Sequence, residues 1–119
     1  VFAYGPTMVF QALEAVRLLA AKGIAAGLID LPWLNRVDRG WLATTVAGVR
    51  LVCVVEDHAS VGGLGDHMLR VLRTGPWIRK GRLEILGVEG YPAFGTSAEA
   101  LAAHGLDGPS LARRIEAML

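Results

Sequence analysis

Apolar and polar positions along this chain change period repeatedly, and each change marks a predicted element. Val1 to Tyr4 reads as the end of a strand, stopped by Gly5-Pro6. Leu13, Val16, Leu19 and Ala20 then recur at helical spacing, with Glu14 and Arg17 on another face. Thr7 is placed to cap that helix, and Lys22-Gly23 to close it. Ile24 to Leu31 is a near-continuous apolar run, as expected of a strand covered on both faces, and Pro32 ends it. Asp38 suits the N-cap of a short helix through Trp41, Leu42, Thr45 and Val46, terminated near Gly48. Val49 to Val55 is the next strand, and a helix carrying Met68, Leu69, Val71 and Leu72 begins at about Asp66. Leu83 to Val88 follows as a strand. Thr96-Ser97-Ala98-Glu99 fits a capping box for a helix ending at His104-Gly105. Asp107-Gly108-Pro109 opens a last helix carrying Leu111, Ile115, Met118 and Leu119.

Strands and helices alternate with short connections. That order predicts an α/β fold: three layers, α/β/α, around a mostly parallel sheet of four or five strands. The length of 119 residues suits one domain over residues 1–119. Val1 stands where a Met would open a complete reading frame and enters directly into an apparent strand, so a fragment of a longer chain is expected.

Composition narrows the classes of function. The chain is 53% hydrophobic and 19% charged, with a net charge of +1. An apolar excess of that kind is available to cover a partner surface. No basic field exists to attract nucleic acid or an anionic membrane. The Arg36/Arg39 and Arg79/Lys80/Arg82 clusters read as solvated loop residues. Trp33, Trp41 and Trp77 read as core or interface residues. Cys53 is the single cysteine and sits inside an apolar strand, as a buried small hydrophobe does. No signal-peptide pattern and no membrane-length apolar run is present, so the expectation is a cytoplasmic protein.

The candidate chemistry lies where the strand ending at Val55 meets Glu56, Asp57 and His58, before Gly62-Gly63-Leu64-Gly65. The carboxyl end of a buried strand is where open α/β sheets present ligand and partner groups. Adjacent side chains alternate in direction along a strand, so the triplet is a poor metal site, and His67 and His104 are isolated. His58 is suited either to hydrogen-bond a substrate and move a proton, or to pack at a domain contact and orient the loop. Glu56 and Asp57 are suited to hold loop amides or pair with an Arg. Gly62, Gly63 and Gly65 match neither G-x-G-x-x-G nor a nucleotide loop ending in Gly-Lys-Ser/Thr. Asp66 would repel a phosphate there, so close backbone packing is expected. Ser60 lacks the surroundings of an activated nucleophile.

Val55-Glu56-Asp57-His58 through Gly62-Gly63-Leu64-Gly65 resembles the C-terminal domain of the transketolase family, which includes 1-deoxyxylulose-5-phosphate synthases and 2-oxo acid dehydrogenase β subunits. Ala3-Tyr4-Gly5-Pro6-Thr7-Met8, Gly23-Ile24 through Asp30-Leu31-Pro32, Val37-Asp38, Ile85-Leu86-Gly87-Val88, and Phe94-Gly95-Thr96 to Glu99 with His104-Gly105-Leu106 extend it nearly end to end. Phe94 departs from the small polar residue of the family pattern. His58, rather than Asn, brings the segment closer to transketolases than to the synthases. The resemblance implies a first strand antiparallel to the rest. It also implies thiamine diphosphate and Mg²⁺ bound by other domains, with none held here. The parent enzyme would transfer a two-carbon ketol unit between sugar phosphates. Here the domain would be inactive alone, buttressing the subunit and a homodimer contact, with Glu56, Asp57 and His58 facing the active-site approach or a neighbouring domain. Two alternatives stay open: the same domain of a 2-oxo acid dehydrogenase E1 β subunit or deoxyxylulose phosphate synthase, and a free-standing module binding an anion or nucleotide at the glycine turn.

Overall fold

In the computed structural model, which describes residues 1–75, 77 and 81–119, four strands and five helices alternate. They run β1 (Phe2–Ala3), α1 (Gly5–Ala21), β2 (Ile29–Asp30), α2 (Arg39–Thr45), β3 (Leu51–Ala59), α3 (Leu64–Leu72), β4 (Arg82–Val88), α4 (Ser97–Ala103) and α5 (Gly108–Ala117). The sheet order is β2-β1-β3-β4. Every pairing is parallel, including both of those made by β1. The antiparallel first strand is therefore overturned. Each connection between consecutive strands contains a helix, which returns the chain to the same edge of the sheet and forces the next strand to run parallel.

Alternation along β1 and β3 divides the core in two. Ala3, Cys53, Val55 and Leu86 face α1 and α5, against Met8, Ala12, Ala15, Leu19, Leu111 and Ile115. Phe2, Val52 and Val54 face the other way, against Leu42, Leu64, Met68, Leu72 and Trp77. The three layers follow from that partition. Cys53 is buried, and burial is the first cause holding its thiol up at about 11. Trp77 is buried and donates from its indole to Val49 O at 2.8 Å. Trp41 meets Phe2 edge to face, while Trp33 stays 62% exposed.

Several boundaries differ from the expectation. The stripe that α1 buries is Met8, Ala12, Ala15 and Leu19, with Leu13 and Val16 only half-buried. Its small residues admit α5 closely: a Cβ on Gly108 would come within 2.5 Å of the Glu14 carboxylate. Alanines carry little hydropathy, so contact with α5 sets this face more than the leucines do. Thr7 lies within α1, whose N-cap is Tyr4. Asp107, the N-cap of α5, makes no side-chain capping bond; Gln11 of α1 accepts from Gly108 N at 2.7 Å instead. Asp38 does cap α2, accepting from Trp41 N at 2.7 Å, and the capping box of Thr96 and Glu99 is complete. The run from Ile24 pairs only at Ile29–Asp30, because residues 24–28 have almost no β1 beside them; Val1 N reaches Gly27 O at 2.7 Å and closes the ladder. Helix α3 starts two residues before Asp66. Arg39 and Arg82 lie in elements rather than loops: Arg39 bonds Thr74 from α2, and Arg82 pairs with Glu84 along β4. Arg79 and Lys80 fall outside the described residues. No helix is long and apolar enough to cross a membrane among the residues described.

Candidate functional site

Strand β3 continues past Val55 through the acidic triplet, with an irregularity in its register between Val55 and Ala59. Alternation therefore separates the triplet. Glu56 and His58 turn toward α3, and Asp57 turns toward α1 and α4.

Glu56 is fully buried, the single buried charged side chain among the described residues. Its Oε2 accepts from Leu64 N at 2.8 Å and its Oε1 from Gly65 N at 3.1 Å. Those are the first amides of α3, donors that no carbonyl within the helix can reach. A carboxylate placed there also complements the positive end of the helix dipole. The Nε2 of His58 stands 3.3 Å from Glu56 Oε2, while its Nδ1 lies 2.7 Å from Ala59 O. Both ring nitrogens thus face acceptors, and the ring donates to both only when each carries a proton.

Tyr4 enters from the end of β1, its ring 6.0 Å from that of His58. Its hydroxyl oxygen is buried with no partner among the described residues. Burial, then the charges of Glu56 and Asp57, push the phenol up to about 12. Glu56 stands close enough to add to this shift but outside hydrogen-bond geometry. Tyr4 was missed in the sequence, although an aromatic with a polar tip at a strand's carboxyl end is a usable signal.

The glycines shape the turn. A Cβ on Gly63 would run into Glu56 Oε2 and the His58 ring, and one on Gly65 would come within 2.5 Å of Ile85. Gly62 is in the left-handed region at φ 87° and donates from its amide to Asp66 Oδ2 at 2.5 Å. The amides that would cradle a phosphate are thus occupied by the chain's own carboxylates. Gly87 on β4 has the same character, since a Cβ there would meet His58 O at 2.8 Å.

Two cavities flank β3. One of about 280 Å³ is lined by Asn35, His58, Gly63, Asp66, His67 and Arg70. The other, about 210 Å³, opens on the Asp57 face between Thr7, Ser97 and His104. No three His, Cys, Asp or Glu side chains converge as a metal site among the described residues.

With this geometry in place, comparison with known proteins gives a consistent answer. The family model for the transketolase C-terminal domain matches residues 1–111. Over 108 residues the chain is 33% identical to 1-deoxy-D-xylulose-5-phosphate synthase 2 of Kitasatospora griseola, covering 90% of this chain and 17% of that one. Over 105 residues it is 30% identical to a putative transketolase C-terminal section of Methanocaldococcus jannaschii, covering 88% and 32%. Among solved structures, a split gene transketolase described as an inactive beta4 tetramer superposes with a TM-score of 0.85 at 29% identity, over 97% of this chain and 37% of the other.

Proposed function

The chain belongs to the transketolase C-terminal domain family, and from that premise we propose that it serves a thiamine diphosphate-dependent enzyme as a supporting, contact-making domain. The parent enzyme, in this reading, transfers a two-carbon ketol unit between sugar phosphates in the cytoplasm, as a homodimer independent of nucleic acid and membrane. The support for a wider enzyme is that the chain spans only 17% of the synthase it matches and 32% of the transketolase section.

One observation carries the division of labour. Glu56 is the buried acid of the triplet, and both of its oxygens are engaged by α3 amides and His58. A carboxylate so engaged holds a helix in place, and its full burial closes it to a hydrated magnesium ion. No other convergent ligand set exists among the described residues. These residues do not fit the cofactor's metal, so no step of the reaction is assigned to them. Their role is to fix the end of β3 and the start of α3 as one rigid surface, with His58 and Asp57 as its exposed polar groups.

The test is His58→Ala in the complete enzyme, read by ketol-transfer kinetics and by sedimentation. A changed KM, kcat or dimer affinity is expected; no change in any of the three would overturn the contact role of His58. The second reading, a domain of a deoxyxylulose phosphate synthase, draws on several synthases at 28–33% identity. Assaying the complete enzyme for formation of 1-deoxy-D-xylulose 5-phosphate against ketol transfer separates the two.

A further inference from the structure

Between β4 and α4 the chain runs from Glu89 to Thr96 without regular structure. It carries the two most exposed aromatic residues recorded, Tyr91 at 82% and Phe94 at 87%, with ring centroids 6.1 Å apart. Gly90 and Gly95 bracket this pair, both at positive φ. Among the described residues, the main chain between Gly90 and Gly95 makes one recorded hydrogen bond. Ala93 N donates to Nε2 of His104, at 2.9 Å, in a partly buried position. His104 is the C-cap of α4, so this bond joins the main chain of the aromatic segment to the helix that follows it.

The chemistry of that bond is one-sided. An imidazole nitrogen accepts a hydrogen bond only through its lone pair, so a ring that accepts at Nε2 is neutral and carries its proton on Nδ1. A proton added to Nε2 would face the Ala93 N–H with another N–H, turning attraction into repulsion. We propose that His104 is a proton-operated catch, holding the 90–95 segment against α4 when neutral and releasing it when protonated.

The charges facing His104 are of both signs. Arg114 of α5 lies alongside, donating from Nη1 to Gly105 O at 3.3 Å and approaching His104 O at 3.5 Å. Glu89 at the exit of β4 and Asp57 at the end of β3 line the cavities on either side of the ring. On its own helix, Glu99 is committed to Thr96. The ring thus stands between the carboxylates of Glu89 and Asp57 and the guanidinium of Arg114. Releasing the segment would free Tyr91 and Phe94 from their place at the carboxyl edge of the sheet.

Residue-resolved amide hydrogen exchange on the full 119-residue chain, corrected for intrinsic rates, tests this. Moving from about pH 8 to about pH 5 should reduce protection of the Ala93 amide by about tenfold or more, with Val54 in β3 unaffected. His104→Gln keeps a side-chain acceptor that does not titrate, and should retain protection at both values. His104→Ala should lose it at both. Constant protection in the wild type would overturn the proposal. So would equal loss at Val54, which signals global unfolding, or the same pH response in His104→Gln.

Discussion

At the scale of single residues, the turn between β3 and α3 is governed by what Glu56 needs around it. Gly63 and Gly62 stand side by side and are glycine for different reasons. A methyl on Gly63 would strike a carboxylate that cannot move, because its two oxygens hold Leu64 N and Gly65 N. A methyl on Gly62 meets nothing within 4 Å and suffers only the cost of φ 87°. Gly63→Ala should therefore lower stability by about 3 kcal/mol, the upper range for overpacking. Gly62→Ala should cost about 1 kcal/mol, the penalty for a left-handed alanine; urea denaturation midpoints of the two variants check the order. Tyr4 supplies a pH dependence. Its phenol titrates near 10 in the unfolded chain and is held at about 12 in the fold. The folded state thus binds more protons in between, and stability falls as pH rises. The contribution is fully present below about pH 10 and lost through about 12. Tyr4→Phe should flatten that alkaline decline, and the tyrosinate absorbance near the upper value should vanish with it.

At the scale of elements, what was legible in the sequence depended on whether local chemistry or remote contacts set each boundary. The caps of α2 and α4 are local, and Asp38, Thr96 and Glu99 announced them. The acidic triplet was recognisable as the end of a strand because β-branched residues lead into it. Other features were decided at a distance. Gln11 of α1 accepts from an amide at the start of α5 across 97 positions, and the length of β2 is limited by its neighbour β1. The separation of Asp57 from Glu56 and His58 followed from period two, but the pairing of Glu56 with α3 amides required the glycine turn to fold back over it. The bond from Ala93 N to the His104 ring had no sequence signal at all, since one partner is a backbone amide. Helix α4 buries no residue, so its own cap is a larger share of what holds it. Thr96→Ala should weaken it by about 1 kcal/mol. That loss should appear as faster amide exchange confined to residues 97–103, with the global denaturation midpoint barely changed.

At the scale of the whole molecule, two half-cores share one sheet, and the more consequential joint lies between α1 and α5. Gly108 passes Glu14 at a distance that leaves no room for a side chain, and Lys22 pairs with Glu116 further along the same contact. Gly108→Ala should separate the helices and lower the thermal midpoint by several degrees, corresponding to about 2 kcal/mol of overpacking. A matched change at Gly40, where the nearest contact is a side-chain oxygen at 3.4 Å, should be far milder. The same joint brings the first and last of these 119 residues to one place. Val1 and Leu119 both line an apolar cavity of about 220 Å³ at the amino edge of the sheet, with Ile115 and Cys53 at its walls. A covalent bridge of a few residues would span them, and new ends opened in the exposed stretch 32–36 would leave every strand pairing intact. The order in which this chain is threaded is thus separable from the shape it adopts: a circularly permuted version would rebuild the same surface around Glu56 from a different starting point.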